Sequence, residues 1–174
     1  MLGLFTSISI LNAKENICKF KKEKWKSFLN LKNKLKVISR FFYKYSLYQL
    51  NRIPVGFNNN IIWNIGYIIV TQQKLIYRGS LLQGYISDQL FKKYQSRTKP
   101  TGSVSRQEAD ELKSLLTSKI ERTINDFENG SFICYNKSIT GIGFHLISIQ
   151  NVFAYNNYHE DLHLGYIMSI RKFV

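Results

Sequence analysis

Near the end of the chain, "NNYHEDLHLGYIMSI" sets His159, Glu160 and His163 in the order H-E-x-x-H. On a helix, histidines at i and i+4 project from one side and can grip one metal ion at ~2.1 Å per nitrogen. A glutamate between them is the general base of zinc peptidases. That chemistry needs a third ligand downstream. Only 11 residues follow His163, and "LGYIMSIRKFV" contains no His, Asp or Glu. The longer H-E-x-x-H-x-x-G-x-x-H form fails as well, because Tyr166 and Ser169 hold its Gly and His positions. The sequence therefore disfavours a peptidase. Glu160 stays a candidate base, or a partner to a metal-bound histidine. Its plainer role is a charge on the helix surface, as for Asp161. Asn156, three residues before His159, either orients that ring or is solvated. His145 is either a replacement ligand or a solvated loop histidine.

These residues need a scaffold, and the spacing of apolar residues predicts one. Leu31, Leu35, Ile38, Phe42 and Tyr45 recur every three or four positions, so a helix is expected over 31–50. A second helix should run over 61–78, capped by Asn59 or Asn60 and stopped at Gly79. It is apolar nearly all round and should be the most buried. A short helical turn in "SDQLFKKYQ" leads into a polar loop with Pro100 and Gly102. A third helix is expected over 105–128, opened by a Ser105/Glu108 capping box and ended at Asn129-Gly130. Its stripe is Ala109, Leu112, Leu116, Ile120, Ile124 and Phe127. "SFICYNKSITGIGFHL" reads as a long ordered loop with room for a short β-like piece. A last helix, over 148–173, carries both motif histidines. Four long helices with apolar faces predict an all-α four-helix bundle, and bundle cores often house metal sites.

The 174 residues suit one domain. Cys18 and Cys134 stand apart with no C-x-x-C, which fits a reducing cytoplasm and gives no zinc ribbon. The net charge of +14 is uneven. Residues 1–44 hold 11 Lys/Arg against 2 Asp/Glu, a net of +9, and the rest holds only +5. A basic terminus gives weak, salt-sensitive contacts, so specific nucleic-acid binding is not expected. The opening apolar run is too short to cross a bilayer, and its charge follows rather than precedes it, unlike a secretory signal. The run "KFKKEKWK" is a solvated charged segment or a contact for acidic lipid or RNA.

"GFNNNIIWNIGYIIVTQQ", "TKPTG" and "FAYNNYHEDLHLGYIMSIRK" together resemble the DinB-like (DinB/YfiT) superfamily, from about Leu35 to the C-terminus. The resemblance implies an up-down-down-up four-helix bundle, commonly a homodimer. It implies a divalent metal such as zinc or nickel held by three histidines. One lies on the second helix in a W-N-x-G-H context; the others form H-x-x-x-H on the last helix. His159 and His163 match the pair, but Tyr67 stands at the second-helix position. A phenol must lose a proton with a reference pKa of ~10 to ligate well. Either Tyr67 packs and hydrogen-bonds an imidazole, leaving no metal, or it serves as a substituted ligand. Trp63 and Thr71 share its face, as core or as pocket lining.

Two functions follow from the resemblance. One is a metal-dependent enzyme, transferase-like toward a small thiol or hydrolase-like. The other is a non-catalytic bundle that lost its metal and acts through dimerisation or partner binding. The domain is expected over 26–174, with residues 1–25 a basic extension outside the core. Deleting 1–25 should leave the thermal midpoint within a few degrees, since exposed termini contribute little packing. A large drop in a calorimetric scan would show the extension docked.

Overall fold

The computed structural model describes residues 32–174. Leu31 and the expectation for residues 1–25 lie outside them. The described chain is all-α apart from one small hairpin. Its elements are α1 over 32–39, then α2 (Phe41–Lys44), α3 (Leu47–Asn51) and α4 (Ile61–Ile76). A 3₁₀ turn (Arg78–Ser80) follows, then α5 (Asp88–Tyr94) and α6 (Arg106–Glu128). Strands β1 (Ser138–Ile139) and β2 (His145–Leu146) precede α7 (Ile149–Ile170) and a closing 3₁₀ turn (Arg171–Phe173).

Helix α4 is the centre. Twelve of its 16 residues are buried, so it must be covered on nearly every side. It packs most extensively on α7 and also on α3, α5 and α6. Asn60 is the N-cap: its side chain accepts from Trp63 N–H at 2.8 Å. Gly66 explains an otherwise odd glycine in mid-helix. A Cβ there would stand 2.4 Å from the Tyr94 ring of α5. Tyr94 is fully buried and donates its hydroxyl to Glu108 of α6 at 2.7 Å.

Three expectations need correction. The first helix is not continuous over 31–50. It turns at Arg40 and breaks at Tyr45–Ser46, because Ser46 is itself an N-cap. The Ser46 hydroxyl accepts from Gln49 N–H, and the Gln49 side chain accepts from Ser46 N–H, closing a capping box. Phe41 is buried in the core, and Phe42, partly buried, packs against it. Gly79 does not stop α4, which ends at Ile76 with Tyr77 as its C-cap; Leu81, at φ 60°, takes the left-handed conformation that closes the 3₁₀ turn after it. Gly79 instead lets the Tyr135 ring come within 2.6 Å of where a Cβ would lie. Finally, the Ser105/Glu108 box is half made. Ser105 caps Glu108 N–H, but the Glu108 carboxylate turns to Tyr94 and to Lys93, the latter at 2.6 Å.

The loop between α6 and α7 is ordered, with β1 and β2 pairing antiparallel, Ser138 opposite Leu146 and Ile139 opposite His145. It is pinned to the end of α4 by Asn136 N–H donating to Gly79 C=O at 2.7 Å. The core has two parts. The larger joins α1 through α6 to Ile167 and Ile170 of α7. The smaller gathers Ile76, Tyr77, Leu146, Val152 and Phe153. Gly66→Ala should destabilise the fold by about 1–3 kcal/mol, the usual cost of overpacking. Urea unfolding measures it; an unchanged midpoint would mean Tyr94 can move aside.

Candidate functional site

Along α7 the buried residues change character. Val152 and Phe153 belong to one part of the core, Ile167 and Ile170 to the other. Between them Asn156, His159 and Glu160 are buried polar groups. Across this polar band lies α4. Its residues Asn64 and Tyr67 meet α7 there, where α4 makes its most extensive packing.

Tyr67, His159 and His163 do come together. Ring centroids are 5.2 Å apart for Tyr67–His159, 4.7 Å for Tyr67–His163 and 4.6 Å for His159–His163. Trp63 stacks on Tyr67, the ring centroids 5.2 Å apart and the planes within 10° of parallel. Tyr67 meets both imidazoles through its ring. Thr71, one turn along α4, slightly favours the ionised form of Tyr67 against the burial that disfavours it.

The two histidines are held differently. Asn64 is fully buried, and its amide nitrogen donates to Asn59 Oδ1 at 2.9 Å and to Asn60 C=O at 2.8 Å. Its carbonyl oxygen therefore faces His163 Nδ1, at 2.8 Å. Only an N–H can satisfy that oxygen, so His163 carries its proton on Nδ1 and keeps a lone pair on Nε2. His159 is 8% exposed, and its Nδ1 has no partner. Burial lowers both pKa values, to about 3 for His159, with a smaller push from His163, and to about 4 for His163. Both rings are neutral near pH 7.

The remaining candidates are placed as follows. Glu160 is not a surface charge. It is 1% exposed, and Asn156 donates to it at 2.8 Å. Burial raises its pKa to about 8, with Asn156 and Lys34 opposing and Asp161 assisting. Asn156 is likewise buried, and serves Glu160. Each of the two keeps one oxygen unpartnered; the neutral acid supplies a donor that this acceptor-rich pair lacks. Asp161 is exposed and ion-paired to Lys34 at 3.0 Å. His145 is exposed in β2. It joins no metal-competent cluster: among the described residues, no three His, Cys, Asp or Glu side chains gather to hold an ion.

A sequence model of the DinB superfamily matches residues 35–167. The chain belongs to the DinB superfamily. No curated protein matches it at a significant level. Set against the three-histidine pattern that the DinB resemblance implies, the donor set here does not fit. Two neutral imidazoles are suitable ligands. The third position holds a phenol whose pKa is raised, chiefly by burial. That is opposite to the shift a phenolate ligand requires. Asn64 is the residue that sequence reading missed; its place beside Trp63 in "WNIGY" was the available signal.

The shifts predict a pH profile. Unfolded imidazoles protonate near 6.5, folded ones only near 3 and 4. Below 6.5 the unfolded chain takes up more protons, so stability falls as pH falls. Glu160 opposes this: it ionises near 4.5 unfolded and about 8 folded. Its contribution is lost as pH rises through that window. Two imidazoles outweigh one carboxyl below 6.5, and the carboxyl dominates above it. Urea midpoints should therefore peak near pH 6.5, and Glu160→Gln should flatten the alkaline limb. A midpoint still climbing at pH 8 would contradict the burial of Glu160.

Proposed function

We propose that this DinB-superfamily protein is a helical bundle that has given up three-donor divalent-metal chemistry, and that it acts as a binding module rather than through a metal-activated nucleophile. The observation carrying this reading is Tyr67. Its phenol sits against both imidazoles and is disfavoured from ionising by burial. A catalytic zinc normally has three protein ligands and water, and loss of one removes much of the affinity. The DinB resemblance supplies a homodimer, and the two isolated cysteines suit a reducing cytoplasm. Tyr158, Leu162 and Tyr166 form an exposed stripe on α7 suited to contact. Among the described residues no helix is long and apolar enough to cross a membrane.

A second reading keeps an enzyme, transferase-like toward a small thiol or hydrolase-like. It is favoured by the neutrality of both imidazoles, the form that ligates. Glu160 would then serve only as a buried neighbour, since Asn156 holds it.

The test is metal content and affinity. Purified protein should carry well under one equivalent of divalent metal. Tyr67→His should raise zinc or nickel affinity at least about tenfold, or ~1.4 kcal/mol, by restoring a third imidazole. Stoichiometric metal in the wild type, lost in His163→Ala, would replace the first reading by the second. No gain in Tyr67→His would mean that the three side chains do not converge on one point.

A further inference from the structure

Helix α6 carries a lysine on its covered face. Lys119 is 7% exposed and is the one buried lysine among the described residues. It follows Leu116 by three positions and precedes Thr123 by four, and both of those are buried. The ion pairs among the described residues are Lys34–Asp161, Arg78–Asp88 and Lys93–Glu108, so no carboxylate there pairs with it. Its Nζ stands 5.1 Å from the centroid of the Tyr85 ring, and the Arg122 guanidinium stands 5.0 Å from the same centroid. That ring is fixed at both ends. The Tyr85 backbone N–H donates to Gln73 Oε1 at 2.8 Å, and its hydroxyl donates to Asp126 at 2.8 Å. Asp126 also accepts from the Tyr77 hydroxyl at 2.6 Å, so this carboxylate is engaged by two phenols.

We propose that Lys119 is a nucleophilic amine that captures small carbonyl compounds as an imine, and that Arg122 holds an oxyanion group, carboxylate or phosphate, of the same molecule. The site shares no residue with the polar band between α4 and α7, and so goes beyond the preceding reading. Three arguments carry it. The first is charge. A buried ammonium without an anion is costly, and losing its proton relieves that cost. Burial, with a smaller push from Arg122, lowers the Lys119 pKa. Desolvation and a neighbouring cation are the two means by which a lysine becomes a nucleophile. The Tyr85 ring favours an ammonium, but permanently charged Arg122 stands over the same ring. The second argument is access: Tyr85 and Arg122 are both exposed, so this edge of the lysine opens to solvent. The third is complementarity. Among the described residues Arg122 has no ion pair, and a guanidinium fits carboxylate or phosphate in two-point contact. The reaction needs no co-reactant. The amine lone pair adds to the carbonyl carbon, both amine protons pass to the carbonyl oxygen, that oxygen leaves as water, and a C=N bond remains.

The test incubates the full chain at neutral pH with one equivalent of pyridoxal phosphate, an aldehyde that carries a phosphate. Borohydride then makes any imine permanent, and peptide mass mapping locates it. Pyridoxal, the same aldehyde without the phosphate, is the comparison probe. Lys119 should take several-fold more label than exposed Lys92, and this preference should be several-fold larger with the phosphate-bearing probe. Arg122→Gln should remove the difference between the probes. A change in the amine alone would slow both probes equally and leave that difference intact. Lys119→Arg keeps the charge, and should abolish both the label at position 119 and the yellow imine absorbance. Circular dichroism checks each variant, and Lys119→Met replaces the arginine variant if that fails to fold. Label spread evenly over the exposed lysines overturns the proposal, as does imine absorbance that persists in Lys119→Arg. Pyridoxal phosphate that binds without an imine at Lys119 overturns it too, by showing a plain anion site. A probe preference unchanged in Arg122→Gln overturns the part given to Arg122.

Discussion

Helix α4 has almost no face that it can give to water, and the other elements are arranged by that constraint. A surface helix needs one covered stripe; α4 needs a wall on most sides. The chain meets this by laying α7 along it, bringing α3, α5 and α6 against it, and closing one end with the pinned loop. Glycine at position 66 is the detail that makes the enclosure close, since it admits Tyr94 to the helix surface. Tyr94 in turn is tied to Glu108 of α6. Backbone contact, aromatic packing and a charged hydrogen bond thus form one chain from α4 to α6.

The same enclosure shapes the polar band. Two apolar cores flank it, so Asn156, His159 and Glu160 are removed from water without being removed from each other. Buried polar atoms usually find partners, and here several do not. The helix pair accommodates them by neutrality. Two imidazoles stay unprotonated and one carboxyl stays protonated, each avoiding the larger penalty of a buried charge.

Much of this was legible in the sequence. Apolar spacing marked α4, α6 and α7 to within a few residues, because long amphipathic or wholly apolar runs have few alternatives. The H-x-x-x-H pair and Tyr67 were legible as neighbours only through the family resemblance. The break at Ser46 was written as S-x-x-Q, but the apolar spacing across it was more insistent, and a local cap outweighed that spacing. The burial of Glu160 was invisible for a different reason. Its position beside His159 suggested the flank of the helix, and only packing against neighbouring elements shows that this flank is also inside. The Asn64–His163 contact spans 99 residues and no local rule reaches so far.

Glu160 also alters how the molecule presents itself to charged surroundings. The formal +14 counts this side chain as an anion. Folded, with a pKa near 8, it spends most of its time at pH 7 as an uncharged acid. The native protein is thus close to one unit more cationic than its composition, and unfolding releases a proton from this position. The field felt by a polyanion or a negatively charged resin is in part a property of the fold, set by a residue that never reaches the surface.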